Sequence, residues 1–449
     1  MIDISNIRNF VVQKYPKIGH PKKEEMTRLF FEILKRESVS LDQIVLGYNK
    51  DLTDYRGFRA YLVKRRFPGL SSEMSKVPLR FPKLDIDEGH AIEIKKQSLV
   101  LKNVYVEKKV ISSALVARLR RKFPQANFIE IDRYKTFIKD RPYGIKEYNR
   151  RTDSFFITHE EYDFYKRCPC STKSVFCGYH VVNLGSGCAF ECAYCYLQDY
   201  VNSPGIVLPA NIEDFFDKFR EYRQDVRVGS GELTDSLIFD HLTEFSVQIV
   251  DFFRGYPKSS FEFKTKSNNI SLLTSIKGTE NVVISWSMNP QFIIQETEHY
   301  TANLNERLNA AKECAEAGYK VAFHFDPIIV YAHWRQDYQD LIRQIFSQIP
   351  KSKIAWLSIG TLRMTLGLKR IIENRFPDNF ILNDEFLVGH DGKLRYSNRV
   401  RAQIYQSMKK WITAYSPETI VYLCMEEKTM CEQTQSAPLK KYRLEGYPA

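Results

Sequence analysis

Residues 185–198 read GSGCAFECAYCYLQ, and this stretch decides the fold. Three cysteines, Cys188, Cys192 and Cys195, follow a glycine-containing turn with the spacing Cys-x3-Cys-x2-Cys. Three thiolates can hold three irons of a four-iron cluster, and the fourth iron then lacks a protein ligand and can bind a small molecule. A zinc site would normally need a fourth cysteine or histidine close by. The spacing therefore favours an iron–sulfur cluster with one open iron over a zinc site.

Strands and helices alternate along the chain on both sides of this motif. Predicted strands cover 99–106, 127–131, 226–228, 260–264, 281–287, 319–325 and 354–359. Predicted helices cover 22–35, 54–66, 112–122, 211–223, 238–255, 304–317 and 334–348. Strands separated by helices are typical of βαβ units with a largely parallel sheet. Ligands of such sheets bind at the carboxyl ends of the strands.

The cysteine spacing followed by alternating βα units is similar to the signature of radical S-adenosylmethionine (SAM) enzymes. The tyrosines on both sides of Cys195 and the Leu-Gln after them resemble the spore photoproduct lyase family in particular. The resemblance extends from about residue 99 to residue 426. Further segments match the family in the same order, namely DHLT at 240–243, FKTKS at 263–267, SWSMN at 285–289, AGY at 317–319, DPI at 326–328 and GTLR at 360–363.

The resemblance implies the fold, the cofactors and the division of the chain. The fold class is α/β, a partial TIM-like (βα)6 radical SAM barrel with an added basic, mainly helical N-terminal region. The cofactors are a [4Fe-4S] cluster and S-adenosyl-L-methionine. We expect a basic helical region at 1–75, an N-terminal α/β segment packing on the barrel at 96–180, the barrel with a C-terminal hairpin at 181–425, and a polar tail at 426–449.

The family's activity is the repair of spore photoproduct, a methylene-bridged thymine dimer in DNA. The resemblance implies that Cys188, Cys192 and Cys195 hold the cluster and that a 5′-deoxyadenosyl radical removes hydrogen from C6 of the dimer. The bridge then breaks, and the product radical must regain a hydrogen atom.

The resemblance also implies side chains near SAM. The expected cofactor contacts are Glu232, Thr234, Asp235, Lys266, Ser287 and Arg307. A cationic or hydroxyl group can neutralise or hydrogen-bond the methionyl carboxylate, and Glu232 could accept hydrogen bonds from the cofactor's ammonium group. The alternatives are ion pairs at the surface for Lys266 and Arg307 and a solvated strand-end carboxylate for Glu232.

The chain departs from the family at the hydrogen donor. Counted back from the DHLT segment, the family's hydrogen-donating cysteine falls on Glu232, whose carboxyl O–H bond is much stronger than a thiol S–H bond. We predict Cys424, which ends an apolar strand-like run, as the replacement donor, with a buried structural cysteine as the alternative. Tyr194 and Tyr196 match the family's tyrosines that relay the hydrogen atom, with aromatic packing beside the cluster as the alternative.

Two more groups of residues stand out. Cys168, Cys170 and Cys177 precede the motif and could bind a zinc ion or a second cluster, or carry no metal. The family inserts a hairpin into the DNA at the lesion, which is the general logic of enzymes that act on flipped bases. The residues that fall near this hairpin are Arg395, Tyr396 and Arg399, with a plain surface turn as the alternative.

The composition describes a folded chain with an uneven charge. Hydrophobic residues make up 43% and charged residues 27% of the 449 residues, which excludes a disordered protein. The net charge is +12, and its excess lies in residues 1–70 and 101–170, which carry +6 and +7. A basic region beside a catalytic domain suggests a polyanionic partner, with solubility as the alternative reason for the charge. In the helix at 54–66, basic side chains alternate with aromatic ones and could contact nucleic acid, or form an ordinary solvated face.

These observations define the predicted function. We expect a radical SAM enzyme, lyase-like, acting on a thymine-dimer photoproduct in DNA. The alternatives are a radical SAM enzyme of the same architecture acting on RNA or a modified nucleotide, and a nucleic-acid-binding protein with a structural or redox cluster. The expected partners are nucleic acid, with DNA favoured, and an electron donor such as flavodoxin or ferredoxin. No stretch of the sequence reads as a signal peptide or spanning helix, so we expect a cytoplasmic protein without a membrane partner.

Overall fold

We describe the chain from a computed structural model, which covers residues 2–69, 81–94, 99–141, 143–162, 167–170, 174–175, 177–221 and 225–436. The predicted polar tail lies outside the described residues from residue 437 onward. The α-helices are α1 (Ile4–Lys14), α2 (His20–Glu37), α3 (Leu41–Leu46), α4 (Tyr55–Arg66), α5 (Ala114–Lys122), α6 (Tyr134–Ile138), α7 (Ile145–Asn149), α8 (Leu197–Tyr200), α9 (Ile212–Glu221), α10 (Asp240–Thr243), α11 (Phe245–Arg254), α12 (Ser271–Thr274), α13 (Gln291–Thr297), α14 (Leu304–Glu316), α15 (Trp334–Gln348), α16 (Leu366–Arg375), α17 (Asn398–Tyr415) and α18 (Lys428–Gln433). The β-strands are β1 (Asn103–Glu107), β2 (Asn127–Ile131), β3 (Ser154–Thr158), β4 (Tyr179–Val181), β5 (Glu191–Cys192), β6 (Ile206–Pro209), β7 (Arg227–Gly229), β8 (Ser260–Thr265), β9 (Val282–Ser287), β10 (Glu298–His299), β11 (Lys320–Ile328), β12 (Ile354–Thr361), β13 (Arg363–Met364), β14 (Leu387–Val388), β15 (Leu394–Arg395) and β16 (Val421–Leu423).

The chain forms two compact units. One consists of Met1–Ile92 with Leu362–Val400, and the other of Glu93–Thr361 with Arg401–Ala449. The boundaries expected from the sequence at 75, 96, 181 and 425 stay a prediction. None of the helices in the described residues is long and apolar enough to span a membrane.

A curled parallel sheet forms the centre of the larger unit. Its strands pair in chain order, β4-β7-β8-β9-β11-β12-β16, and every pair is parallel. The strands β8, β9 and β12 are almost completely buried, which explains their apolar runs in the sequence. The predicted partial α/β barrel is therefore confirmed, and in the described residues its sheet has seven strands where six were expected.

The helices begin where the sequence provides caps. At the start of α14, the side chain of Asn303 accepts a hydrogen bond from the backbone N–H of Glu306 (3.0 Å), and the Glu306 carboxylate accepts one from the N–H of Asn303 (2.7 Å). This reciprocal capping box fixes the first turn of α14. The helix then packs Leu308, Ala311 and Cys314 inward, which places it against β9 and β11.

A second parallel sheet lies in the same unit, with the order β2-β1-β3-β6. Three of its strands come before the cysteine motif, and β6 comes after it. The sequence does not predict a strand at 206–209, because this apolar run of four residues is too short to show a period. Ser186, at the start of the cysteine loop, exchanges two backbone hydrogen bonds with Val207 of β6 (2.9 and 2.8 Å), so this sheet contacts the loop directly.

The smaller unit contains a buried cluster of charges. Glu32 on α2 accepts hydrogen bonds from Arg66 (2.7 Å) and from Lys369 (2.5 Å), and Arg28 bonds to Glu373 (2.5 Å). All five side chains are at most 10% exposed. These pairs join α2 and α4 to α16, a segment more than 300 residues further along the chain.

The basic side of α4 is used inside this unit. Arg59 forms an ion pair with Glu25 (2.6 Å), and Arg65 forms one with Glu37 (2.7 Å). The aromatic ring of Phe58 is completely buried. These three side chains are thus engaged within this unit, and contact of α4 with nucleic acid stays a prediction.

Candidate active site

The three cysteines of the motif lie on the loop between β4 and α8. Cys188 and Cys192 are buried, and Cys195 is half-buried. The loop includes β5, which pairs with β10 in an antiparallel ladder. Gly187 has a φ of +89°, a left-handed conformation that favours glycine, and a Cβ there would lie 3.4 Å from the backbone of Ile206. The glycine before the first cysteine is therefore required by the backbone.

One buried arginine holds the backbone of this loop. Arg151 donates to the carbonyl oxygens of Cys188 (2.7 Å) and Phe190 (2.8 Å). It also donates to the carboxylate of Glu191 (2.6 Å) and to the carbonyl oxygen of Tyr148 (3.0 Å). Burial works against its charge, but the charge of Glu191 holds the pKa of Arg151 above its ordinary value. Sequence reasoning missed this residue, because nothing local distinguishes it from the exposed Arg150.

The carboxyl-terminal half of the loop is held by Gln198. Its side-chain amide donates to the carbonyl oxygens of Cys192 (3.2 Å), Ala193 (2.9 Å) and Cys195 (3.1 Å). The side chain is 5% exposed. Gln198 and Arg151 together satisfy five carbonyl oxygens in and beside the motif, so the three thiols project from a preorganised backbone.

Burial acts on all three thiols of the motif. It raises the pKa of Cys188 to about 12 and also raises the pKa of Cys192 and Cys195. A bound metal would favour the thiolate form against this effect. The three thiols come from one loop, and a four-iron cluster, which the resemblance implies, would take one thiolate on each of three irons.

A lysine faces the loop from the end of β8. The Nζ of Lys266 lies 5.7 Å from the centroid of the Tyr194 ring. Burial opposes its charge, but the thiol of Cys192 and the carboxylate of Glu298 hold the pKa of Lys266 above its ordinary value. Lys266 thus brings a positive charge next to the cysteine loop, at the carboxyl edge of the sheet.

Arg307 and Ser287 belong to a buried network beside the loop. Arg307 is completely buried and donates to Glu298 (2.6 Å) and to the carbonyl oxygen of Ser287 (2.8 Å). Glu298 also accepts a hydrogen bond from Asn289 (2.8 Å) and from the hydroxyl of Tyr194. The network fixes the end of β9 to β10, which pairs with the cysteine loop. It explains the burial of Tyr194, and a cofactor contact by Arg307 or Ser287 stays a prediction.

The predicted residues after β7 have two different environments. The carboxylate of Asp235 accepts hydrogen bonds from the hydroxyl of Thr265 (2.7 Å) and from the backbone N–H of Lys266 (2.7 Å). Asp235 therefore joins the turn after β7 to the end of β8. Thr234 and Glu232 are buried, at 6% and 8% exposure, and the hydroxyl of Tyr196 donates to the backbone carbonyl of Glu232. The structure thus joins the turn at 231–235 to both the cysteine loop and β8.

The cysteines before the motif lie at the edge of the barrel sheet. The N–H of Cys168 donates to the carbonyl oxygen of Tyr179 in β4 (2.9 Å). The neighbouring Cys170 and burial raise the pKa of the Cys168 thiol well above its ordinary value. Cys424 follows β16 at the other end of the strand order, and its N–H donates to the carbonyl oxygen of Ile359 (2.8 Å).

The predicted nucleic-acid contacts differ in exposure. Arg395 and Tyr396 are each 1% exposed, and Arg395 pairs with Asp391 (2.8 Å), while the Tyr396 ring stacks on Phe386. Arg399, in the first turn of α17, is exposed. Of the three, Arg399 presents its side chain to solvent.

Comparison with known proteins finds relatives among the spore photoproduct lyases. The family model of spore photoproduct lyase matches residues 165–424. The spore photoproduct lyase of Geobacillus sp. (strain Y412MC61) is 27% identical over 256 residues, covering 54% of this chain and 75% of that protein. That of Bacillus subtilis (strain 168) is 26% identical over 214 residues, covering 46% of this chain and 63% of that protein.

Solved structures give the same result for the fold. A spore photoproduct lyase complexed with dinucleoside spore photoproduct matches with a TM-score of 0.62 at 23% identity, covering 73% of this chain and 100% of that chain. A double mutant of the enzyme with bound AdoMet and the same dinucleoside matches with a TM-score of 0.61 at 24% identity, covering 73% and 99%. These likenesses establish a shared architecture.

Proposed function

The chain belongs to the spore photoproduct lyase family, and from this premise we propose that it repairs a thymine-dimer photoproduct in DNA as a radical SAM lyase. The observation that carries the proposal is the buried loop with Cys188, Cys192 and Cys195, whose backbone is held by Arg151 and Gln198. This loop lies within the residues that match the family model.

The three cysteines would hold a [4Fe-4S] cluster with SAM on its open iron. When bound, this pair of cofactors supplies a 5′-deoxyadenosyl radical that removes hydrogen from C6 of the photoproduct. Lys266 is the cation best placed for the methionyl carboxylate, because it stands next to the loop and its pKa stays high. Glu232 and Thr234, on the turn joined to Tyr196, are proposed to bind the polar end of the cofactor.

The tyrosines of the motif take separate roles in this proposal. Tyr194 is buried, and its hydroxyl is bonded to Glu298, so it orients the loop. Tyr196 is 47% exposed and its hydroxyl bonds to the turn at Glu232, so we assign it to the side from which the substrate would approach. Tyr196 therefore is the better candidate for a relay of hydrogen atoms.

DNA is the proposed partner. The net charge of +12 favours a polyanion, and Arg399 offers an exposed cation close to the predicted hairpin. The proposal also includes a one-electron donor of the flavodoxin or ferredoxin class, because cleavage of SAM consumes an electron. It places the enzyme in the cytoplasm, where such carriers and reduced thiols are found.

The test is an anaerobic assay of reconstituted protein with reductant, SAM and an oligonucleotide that contains spore photoproduct. Mass spectrometry follows the recovered thymine and 5′-deoxyadenosine together. We expect both products from the wild type and neither from Cys192→Ala. Formation of 5′-deoxyadenosine without any loss of the photoproduct would overturn the proposed substrate.

One observation favours a second candidate function. By the resemblance, the family's hydrogen-donating cysteine falls on Glu232, and a carboxyl group cannot take over that step. An enzyme of the same architecture acting on RNA or on a modified nucleotide would not need that cysteine. Incubation with bulk RNA and undamaged DNA, with 5′-deoxyadenosine as the readout, separates this candidate from the first.

A further inference from the structure

One helix at the carboxyl edge of the barrel sheet presents an exposed aromatic ring. Phe292 lies in the first turn of α13, which follows β9, and is 43% exposed, while the neighbouring Ile293 and Ile294 are buried. Tyr331 follows β11, which pairs with β9 in parallel, and its ring centroid lies 5.1 Å from that of Phe292. Since the parallel strands β9 and β11 end at the same edge, the segments after them bring the two rings together at the side where such sheets bind ligands.

Both aromatic residues are fixed in position. The hydroxyl of Tyr331 donates to the carboxylate of Asp337 in α15 (2.6 Å). The helix of Phe292 is fixed at its start, where the side chain of Gln291 accepts a hydrogen bond from the backbone N–H of Leu304 (2.9 Å). A flat ligand that stacks on such a ring has to order few additional side chains, so the contact keeps most of its energy.

The helix that carries Phe292 is attached to the cysteine loop. The backbone N–H of Ala193, within the motif, donates to the carbonyl oxygen of Thr297, the last residue of α13 (2.7 Å). The next residue, Glu298, pairs with Cys192 in the ladder between β10 and β5. The helix, one further residue and one strand pairing together span at most about 20 Å, which bounds the distance between the Cα atoms of Phe292 and Cys192. A lesion held at the motif therefore has flanking nucleotides within reach of Phe292.

The exposed hydrophobic side chains near the motif differ in kind from those elsewhere in the described residues. The large exposed ones at positions 12–129 are all aliphatic, and those from the cysteine motif onward are all aromatic, namely Tyr196, Tyr200 and Phe292. A few rings cover much less than the area of about 800 Å² that each partner buries in a stable protein interface. A nucleobase needs only one ring face, so these side chains suit a nucleic acid better than a protein.

We propose that Phe292, supported by Tyr331, stacks on a nucleobase that flanks the lesion in DNA, an inference that rests on the proposed function. A base in this position has left the stack of its own strand, so the two rings select DNA that is opened beside the lesion. Stacking uses the flat face that all four bases share, so the contact requires a base and tolerates any of them. Recognition thus extends from the lesion to the strand that carries it.

The first test measures binding without turnover. Fluorescence anisotropy of reconstituted protein without reductant follows an oligonucleotide that contains spore photoproduct and in which each flanking nucleotide in turn is made abasic. We expect one abasic position to weaken binding by the wild type about tenfold, and Phe292→Ala to weaken binding of the intact oligonucleotide by about the same factor. In Phe292→Ala the abasic position should have no further effect, because both changes remove the same contact.

Further variants separate stacking from general apolar contact. Phe292→Trp should keep the affinity of the wild type, whereas Phe292→Leu should behave like Phe292→Ala. Ile129→Ala, which changes an exposed apolar residue of the second sheet, should match the wild type. With 5-iododeoxyuridine at the sensitive position, ultraviolet light should cross-link the oligonucleotide to Phe292, as located by mass spectrometry. Full affinity in Phe292→Leu, or additive effects of Phe292→Ala and the abasic position, would overturn the inference.

The repair assay then compares the oligonucleotide with dinucleoside spore photoproduct, which has no flanking base. Phe292→Ala should lower the ratio of the two kcat/KM values about tenfold, through the KM of the oligonucleotide. An unchanged ratio overturns the inference while the repair function stands. Loss of turnover with flavodoxin but not with dithionite would assign the exposed ring to the electron donor and also overturn the inference. Absence of repair of both substrates by the wild type overturns the proposed function and the inference with it.

Discussion

Replacing Arg151 with methionine should loosen the cysteine loop without unfolding the barrel. The substitution removes a buried ion pair with Glu191 and the hydrogen bonds to the carbonyl oxygens of Cys188, Phe190 and Tyr148. Removing one partner of a buried pair costs about 3–5 kcal/mol, because the other charge stays buried. Water can enter an opened loop and solvate the carbonyl groups, so we take about 4 kcal/mol as the loss.

This loss should appear in local opening of the loop. At about 1.4 kcal/mol per factor of ten, 4 kcal/mol corresponds to roughly a thousandfold faster hydrogen exchange of the amides at 188–198. The iron content after reconstitution should fall in parallel, since the thiols no longer project from a fixed backbone. The assay is exchange mass spectrometry of the wild type and the variant, with iron measured on the same samples.

The neighbouring residue provides a matched control. Arg150 is exposed, so Arg150→Met should leave both exchange and iron content unchanged within error. Adding Glu191→Gln to Arg151→Met should recover part of the loss, because it removes the uncompensated carboxylate. A difference of less than about tenfold in hydrogen exchange at 188–198 between Arg151→Met and the wild type would show that Arg151 does not hold the loop.

Three further predictions concern other charges of the molecule. Glu32→Gln should lower the free energy of unfolding of the smaller unit by about 3–5 kcal/mol in urea denaturation, because three cations lose their shared anion. Against the cost of burial, those cations hold the pKa of Glu32 below its ordinary value, so its stabilisation is present above about pH 4.3 and is lost as the pH falls further. The wild type should therefore lose more stability than Glu32→Gln between about pH 4.3 and pH 3, and equal losses would contradict this. Lys266→Met should weaken SAM binding about tenfold in equilibrium dialysis, at unchanged iron content. A tenfold loss of affinity is the effect expected when one charge-assisted hydrogen bond is removed, and unaltered affinity would show that Lys266 does not bind the cofactor. Arg399→Ala should reduce the slope of the logarithm of DNA affinity against the logarithm of salt concentration by about one, measured by fluorescence anisotropy. Arg395→Ala should instead lower the melting temperature, because Arg395 is buried and paired with Asp391. The opposite pattern would mean that Arg395 binds DNA and Arg399 does not.

Much of the barrel follows from local patterns in the sequence. The predicted helix at 334–348 matches α15 residue for residue, and the predicted strand at 281–287 differs from β9 by one residue. Hydrophobic periodicity and helix caps depend on residues close together in the chain, so they can be recognised without knowledge of the rest of the fold. The cysteine spacing is equally local, because the three thiols come from one loop.

The burial of several long polar side chains could not be predicted from the sequence. Arg307 reads as a candidate cofactor ligand, and the structure buries it completely against Glu298 and the end of β9, while its contact with a cofactor stays a prediction. Arg395 and Tyr396 read as a surface hairpin, and packing buries both. A long polar side chain has the same local signature whether it is solvated or paired, so only the fold reveals its partner.

The sequence by itself determined the class of fold, the family and the three thiols of the motif, because each depends on spacing along the chain. Tertiary structure alone decided which arginine holds that loop and which side chains surround Glu298. Arg151 lies 37 residues before Cys188, and Tyr194 lies 104 residues before Glu298. Such pairs are set by strand order and sheet register, which bring distant residues together and leave no local period in the sequence.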